Sequence, residues 1–294
     1  MQTHQISLRG AGDTARTIAY TDTDYREEEV VLILLHGFCE DKTLWQTSPF
    51  KGFPLIRTIA PDLAGFGNTA QLEPPNGEAA RMADYAADVT ALIDALELRS
   101  KHRRIVVAGH SMGGYVALEM WQRCVAAGIA PPFDGLLLVH SHPFADREER
   151  QAARLKTIEF VRRVGAEAFI RTLYPSLYAP AFAAAHPHIV AAHLAANLKH
   201  SADAVCAALE AMRGRTDTTH LLRTATLPVG WVIGTLDSAI PLEDTLALSS
   251  ELAQSSPDRH RTYILEGIGH LGMIEATRVN LAAMIDFVNF VRKG

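Results

Sequence analysis

Cysteine is scarce in this chain: Cys39, Cys124 and Cys206 are the only three in 294 residues, and no Cys-x-x-Cys pair exists. That excludes a disulfide framework or a zinc knuckle as the organising device. Long apolar runs are missing too. None approaches the ~20 residues that span a bilayer, and Met1-Gln2-Thr3-His4-Gln5 lacks a basic-then-apolar leader pattern. There is no block of Lys or Arg; 28 basic side chains face 33 acidic ones, for a net charge of −5. Neither nucleic acid nor a membrane surface is therefore expected as a partner. Internal repeats and low-complexity linkers are absent as well. The expectation is a cytoplasmic protein, monomeric or homodimeric.

What is present reads as an ordinary globular chain, with 48% hydrophobic and 21% charged residues. Two short strands (Ile6 to Leu8, Thr17 to Tyr20) flank a Gly10-Ala11-Gly12-Asp13 turn, and Asp22 to Glu29 reads as a solvated acidic loop. Continuous apolar runs follow at 30–35, 55–60, 105–108, 135–139, 229–233 and 261–265, the signature of strands buried on both faces of a parallel sheet. Helical patterns alternate with them at 82–98, 115–127, 242–254 and 271–292. The expected fold class is α/β, a doubly wound and mainly parallel sheet, with chemistry at the carboxyl ends of its strands. Residues 141–225 break the rhythm. They offer only helical stretches (147–164, 166–173, 181–198, 202–213), so they read as an insertion into a core formed by 1–140 and 226–294.

The stretch Arg104 to Gly114 holds the densest chemical signal. An apolar strand ends in Gly109-His110-Ser111-Met112-Gly113-Gly114 and a helix begins at once. A serine on so sharp a turn needs tiny residues two before and two after it, and Gly109 and Gly113 supply both. The Ser111 hydroxyl is thereby left at an exposed tip, facing the unpaired N–H groups of the helix start.

A serine hydroxyl at neutral pH needs a base, and the base needs an orienting acid. Among 13 histidines, His270 follows a strand through Gly267-Ile268-Gly269 and opens the last helix, which places it on the catalytic edge. Asp237 ends the Val232 to Leu236 run and is the favoured acid. Its competitor Asp62 sits in Asp62-Leu63-Ala64-Gly65-Phe66-Gly67, where the glycines point to a carboxylate capping its own loop. Two backbone amides, those of Met112 and of Phe38 in His36-Gly37-Phe38-Cys39, are placed to hold an oxyanion.

These motifs resemble the α/β-hydrolase superfamily over essentially the whole chain: His36-Gly37-Phe38 with Trp45 downstream, Asp62 to Asn68, Gly109 to Gly114, and Glu266-Gly267-Ile268-Gly269-His270, with nucleophile, acid and base in the order Ser111, Asp237, His270. The resemblance is to lidded carboxylesterase-type members and implies that 141–225 is a helical lid. It excludes the dehalogenases and epoxide hydrolases of that fold, which carry Asp where Ser111 stands. The implied activity is hydrolysis of small or medium acyl esters through an acyl-enzyme, with no cofactor. The same triad also serves C–C bond cleavage, lactone opening or peracid formation, and some members of the fold are ligand receptors.

Pocket residues are expected among His110, Cys39, Phe144, Tyr174 and Tyr178. His186, His188, His193 and His200 have no interleaved carboxylate and a Pro187 interruption, so no metal site is expected. Asp146 to Arg150 reads as a solvated first helical turn, with Asp146 as a cap.

Overall fold

A computed structural model describes residues 2–9, 15–25, 29–46, 56–72, 78–99 and 103–293. The expected turn at 10–13, part of the acidic loop after Asp22, and Leu55 lie outside the described residues.

Eight strands form one sheet in the order β1-β2-β4-β3-β5-β6-β7-β8. They are β1 (Gln2–Arg9), β2 (Ala15–Asp22), β3 (Val30–Leu35), β4 (Arg57–Pro61), β5 (Arg104–His110), β6 (Gly135–Val139), β7 (Val229–Gly234) and β8 (His260–Leu265). β1 pairs antiparallel with β2, and β2 with β4; every later pairing is parallel. β3, β6 and β7 are buried along their whole length, because helices cover both faces.

The two faces follow the period of two. Val31, Ile33, Leu35, Ile105, Val107, Leu136, Leu138, Trp231 and Ile233 point to one side, and pack with α1 (Met82–Ala95), α2 (Met112–Ala126) and α9 (Leu242–Ser255). Leu32, Leu34, Val106, Ala108, Leu137, Val139 and Val232 point to the other, where α11 (Thr277–Lys293) brings Met284, Phe287, Val288 and Val291.

Between β6 and β7 the chain holds no strand. It forms α3 (Glu148–Val164), α4 (Ala166–Leu177), α5 (Pro180–Ala185), α6 (Pro187–Asn197), α7 (Ala202–Arg213) and the short α8 (Thr219–Arg223). Two expected helices are broken. The 181–198 stretch divides at His186, with Pro187 opening α6. The last helix divides at Ala276 into α10 (Gly272–Glu275) and α11. The reason is tertiary: the Glu275 carboxylate accepts from the amides of Gly269, Leu271 and Ala179, so it caps a separate turn.

Asp146 is a further correction. It is buried rather than solvated and does not cap α3, whose N-cap is Arg147. Arg154 and Arg215 enclose it instead. Among the described residues no helix is long and apolar enough to cross a membrane, and the three cysteines are free.

Candidate active site

Ser111 sits between β5 and α2 with φ 49° and ψ −114°, a left-handed backbone that an L-residue adopts only when its surroundings enforce it. They do. Its amide donates to Val139 O (3.0 Å), and its carbonyl accepts from Gly114 N (2.9 Å) and from the Ser141 hydroxyl (2.8 Å). A Cβ on Gly113 would lie 2.5 Å from Leu35 O, and one on Gly109 would overlap the Gly113 and Gly114 backbone. The turn therefore has no room for larger neighbours.

His270 and Asp237 come from the loops after β8 and β7. The Nδ1–H of His270 donates to the Asp237 carboxylate at 2.9 Å, leaving Nε2 for the cavity. That cavity, of about 230 Å³, is lined by Ser111, His270, His110, Phe38, Glu40, Tyr115, Arg150 and Arg154, with Phe169, Leu173, Leu177, Leu209 and Met212 among its apolar walls. Ser111 and His270 thus share one space. Met112 is the first residue of α2, where an amide has no carbonyl one turn earlier to receive it; Phe38 stands in the turn after Gly37.

Three residues complete the polar frame: His110, which the sequence expectation placed in the pocket, and Glu40 and His140, which it did not include. Glu40 is fully enclosed and accepts from Gly37 N (2.8 Å) and His110 Nδ1 (2.8 Å). His110 also donates from Nε2 to the carbonyl of His270 (3.0 Å). Both ring nitrogens of His110 face acceptors, so both carry protons and the ring is a cation. Burial opposes that charge, yet Glu40 outweighs it and raises the His110 pKa above its ordinary value. Burial likewise opposes charge on Glu40, but His110 brings its carboxyl down to about 2.

His140 is the third. It ends β6 with φ 49° and donates from Nδ1 to Asp237 Oδ2 (3.2 Å). Burial would push the Asp237 carboxyl up, yet the two imidazoles hold it well below the usual range. His140, Asp237 and His270 are also the one group among the described residues close enough to share a metal ion. The carboxylate is already occupied by three N–H donors, those of His270, His140 and the Ala239 amide, a pattern that suits a proton relay. Glu40 lies three residues after Gly37, a local spacing, but its partner His110 stands 70 residues away, and the role of His140 depends on β6 and β7 being adjacent; neither relation is written locally in the sequence.

The other expected pocket residues fall elsewhere. Cys39 is fully buried, and burial pushes its thiol pKa well up, so it is an inert packing group. Tyr174 is also buried; its hydroxyl donates to Cys39 O at 2.5 Å. Tyr178 stacks on Phe182 and bonds His193 at 2.7 Å. Phe144 lines a separate outer cleft of about 780 Å³, not the cavity with Ser111. His186 stacks on Phe182, and His200 pairs with Asn197.

Comparison with known proteins agrees with this fold. A family model described as the alpha/beta hydrolase family matches residues 32–283. A thermophilic esterase from Thermogutta terrifontis, solved with malate bound, superimposes with a TM-score of 0.83 at 26% identity, covering 99% of each chain. The enol-lactonase from Burkholderia xenovorans LB400 gives a TM-score of 0.77 at 18% identity, over 97% of this chain and 100% of that one, a likeness of fold. An uncharacterized protein of Mycobacterium tuberculosis (strain ATCC 25618 / H37Rv) is 32% identical over 88 residues, 30% of this chain. The match spans about 24% of that protein's length.

Proposed function

The chain belongs to the alpha/beta hydrolase family, and from that premise we propose that it is a serine hydrolase of carboxylic esters with small or medium acyl groups. The observation that carries this reading is the strained Ser111 opening into the same cavity as His270, whose Nδ1 is tied to Asp237. In the proposed cycle His270 Nε2 takes the Ser111 proton as Oγ attacks the ester carbonyl. Asp237 steadies the imidazolium, and the amides of Phe38 and Met112 receive the oxyanion. His270 then protonates the leaving alcohol, and water activated by the same ring releases the acid and frees Ser111.

The helices between β6 and β7 act as a lid in this reading, since α3, α4 and α7 supply most of the cavity's apolar wall. At about 230 Å³, the space lies below the usual ~300–1,000 Å³ of ligand pockets, which favours short acyl chains. The test is a panel of p-nitrophenyl esters of graded acyl length. Ser111→Ala should lower kcat/KM about a thousandfold or more, and rates should fall as the acyl chain outgrows the cavity. Undiminished turnover in that variant would end the proposal.

A further inference from the structure

One wall of the catalytic cavity carries charge that the proposed chemistry leaves unused. Arg150 and Arg154, one turn apart on α3, both line the space that holds Ser111. They share a single carboxylate, Asp146. Arg154 binds Asp146 Oδ2 through Nε, and Arg150 Nε stands 3.8 Å from Asp146 Oδ1. A third guanidinium, that of Arg215, lies 2.8 Å from the same Oδ1 and rests on the Tyr115 ring, 4.1 Å from its centroid. Three cations therefore surround one anion.

The outer cleft, which Arg150 and Asp146 also line, carries Glu149 and Asp217 as well, so its balance is negative. There Arg147 pairs with Asp244 (2.7 Å), and Arg223 pairs with Glu251. Across the cavity Glu40 and His110 neutralise each other at 2.8 Å. Among the described residues, then, the surplus near Ser111 is positive and sits on α3. Arg154 is only 9% exposed, and its Nε is directed to Asp146, so the terminal nitrogens of its planar fork remain for a ligand. A buried guanidinium in excess of its partners is costly unless an anion completes it.

Resting on the ester-hydrolase reading above, we infer that the substrate is an ester bearing a second, ionised carboxylate, held by Arg154 and Arg150 while Ser111 attacks the ester carbonyl. The apolar side chains of Phe38, Phe169, Leu173 and Met212 would enclose the short chain between the two ends. A bidentate arginine–carboxylate contact in a site closed to water gives both affinity and register.

The test compares background-corrected kcat/KM for matched esters. One arm places the carboxylate on the acyl side (p-nitrophenyl hemiglutarate against p-nitrophenyl valerate), the other on the alcohol side (4-acetoxybenzoate against phenyl acetate). Wild type should prefer the charged member of at least one pair by about tenfold to a hundredfold. Arg154→Met and Arg150→Met should erase the preference with a smaller effect on the neutral ester, while Arg154→Lys keeps part of it. Should Arg154→Met fail to fold, the more exposed Arg150 and the lysine variant carry the comparison. Glutarate should also raise the Tm of Ser111→Ala, where chemistry is absent, and glutaramide should not. Equal rates within both pairs, or a preference that survives both methionine variants, would overturn the inference. If neutral esters still turn over through Ser111, the hydrolase reading stands and only the charged substrate is lost; if Ser111→Ala remains active, the hydrolase reading itself has failed.

Discussion

Glu40 hydrogen-bonds to His110 and to the Gly37 amide, and two parts of the site hang on those contacts. Its carboxylate holds the Gly37 amide beside Phe38, and through His110 it fixes the backbone carbonyl of His270. Glu40 is therefore a positioning residue. Glu40→Gln keeps an acceptor for Gly37 but removes the charge that keeps His110 protonated, and kcat should fall about tenfold with KM less affected. The pH dependence fixes the sign. Glu40 is lowered from 4.5 to about 2, so its contribution is present above 4.5 and lost as pH falls through 2. His110 is raised above 6.5, so its contribution is present below 6.5 and lost as pH rises through the folded value. The stability gap between wild type and Glu40→Gln should peak between pH 4.5 and 6.5, reaching about 3 kcal/mol at most. Denaturant titrations across pH would measure it, and a gap independent of pH would remove the ion pair from this role. That Ser111 and His270 share a cavity and that Asp237 bonds His270 was legible because each residue follows a strand in a recognisable motif. Glu40 and His140 act through partners 70 and 97 residues away, a relation that no local pattern records.

At the scale of elements, two glycines, one at the β5–α2 turn and one past the end of α2, differ in their physics. Gly128 follows the C-terminus of α2 at φ 68°, with Gly128 N donating to Val125 O (3.0 Å) and Ile129 N to Cys124 O (2.9 Å), a Schellman cap. Nothing lies within 4 Å of a Cβ there, so Gly128→Ala should cost only the left-handed penalty, about 1 kcal/mol. Gly109 meets backbone that cannot yield. Gly109→Ala should lose about 3 kcal/mol or more, or fail to accumulate as soluble protein. Thermal melts of both decide the matter, and similar losses would refute the distinction. The strands were readable from their apolar runs because β3, β6 and β7 are buried on both faces. The division of the last helix was not, because Glu275 breaks it by capping Ala179, ninety-six residues away.

Across the whole molecule, the end of α4 is where the inserted helices meet the sheet's catalytic edge. Tyr174 donates to the carbonyl of Cys39, Leu177 O accepts from His270 N (2.8 Å), and Ser176 O accepts from the Ser238 hydroxyl (3.2 Å). The loops that carry Phe38, His270 and Asp237 are thereby all bonded to residues 174–177. Helix α5 buries no side chain, and α6 buries only Asn197. A chimera receiving residues 180–198 from a homologue should stay folded and active on p-nitrophenyl acetate with its acyl preference unchanged, because none of these residues lines the cavity. One that replaces 174–179 should lose turnover about a hundredfold, measured at matched soluble yield; the reverse ranking would sink this division. The consequence reaches into descent. Drift in α5 and α6 carries little risk, whereas a change between 174 and 179 must be matched in three loops at once. Selection is left with a free margin beside a strip it can alter only in concert.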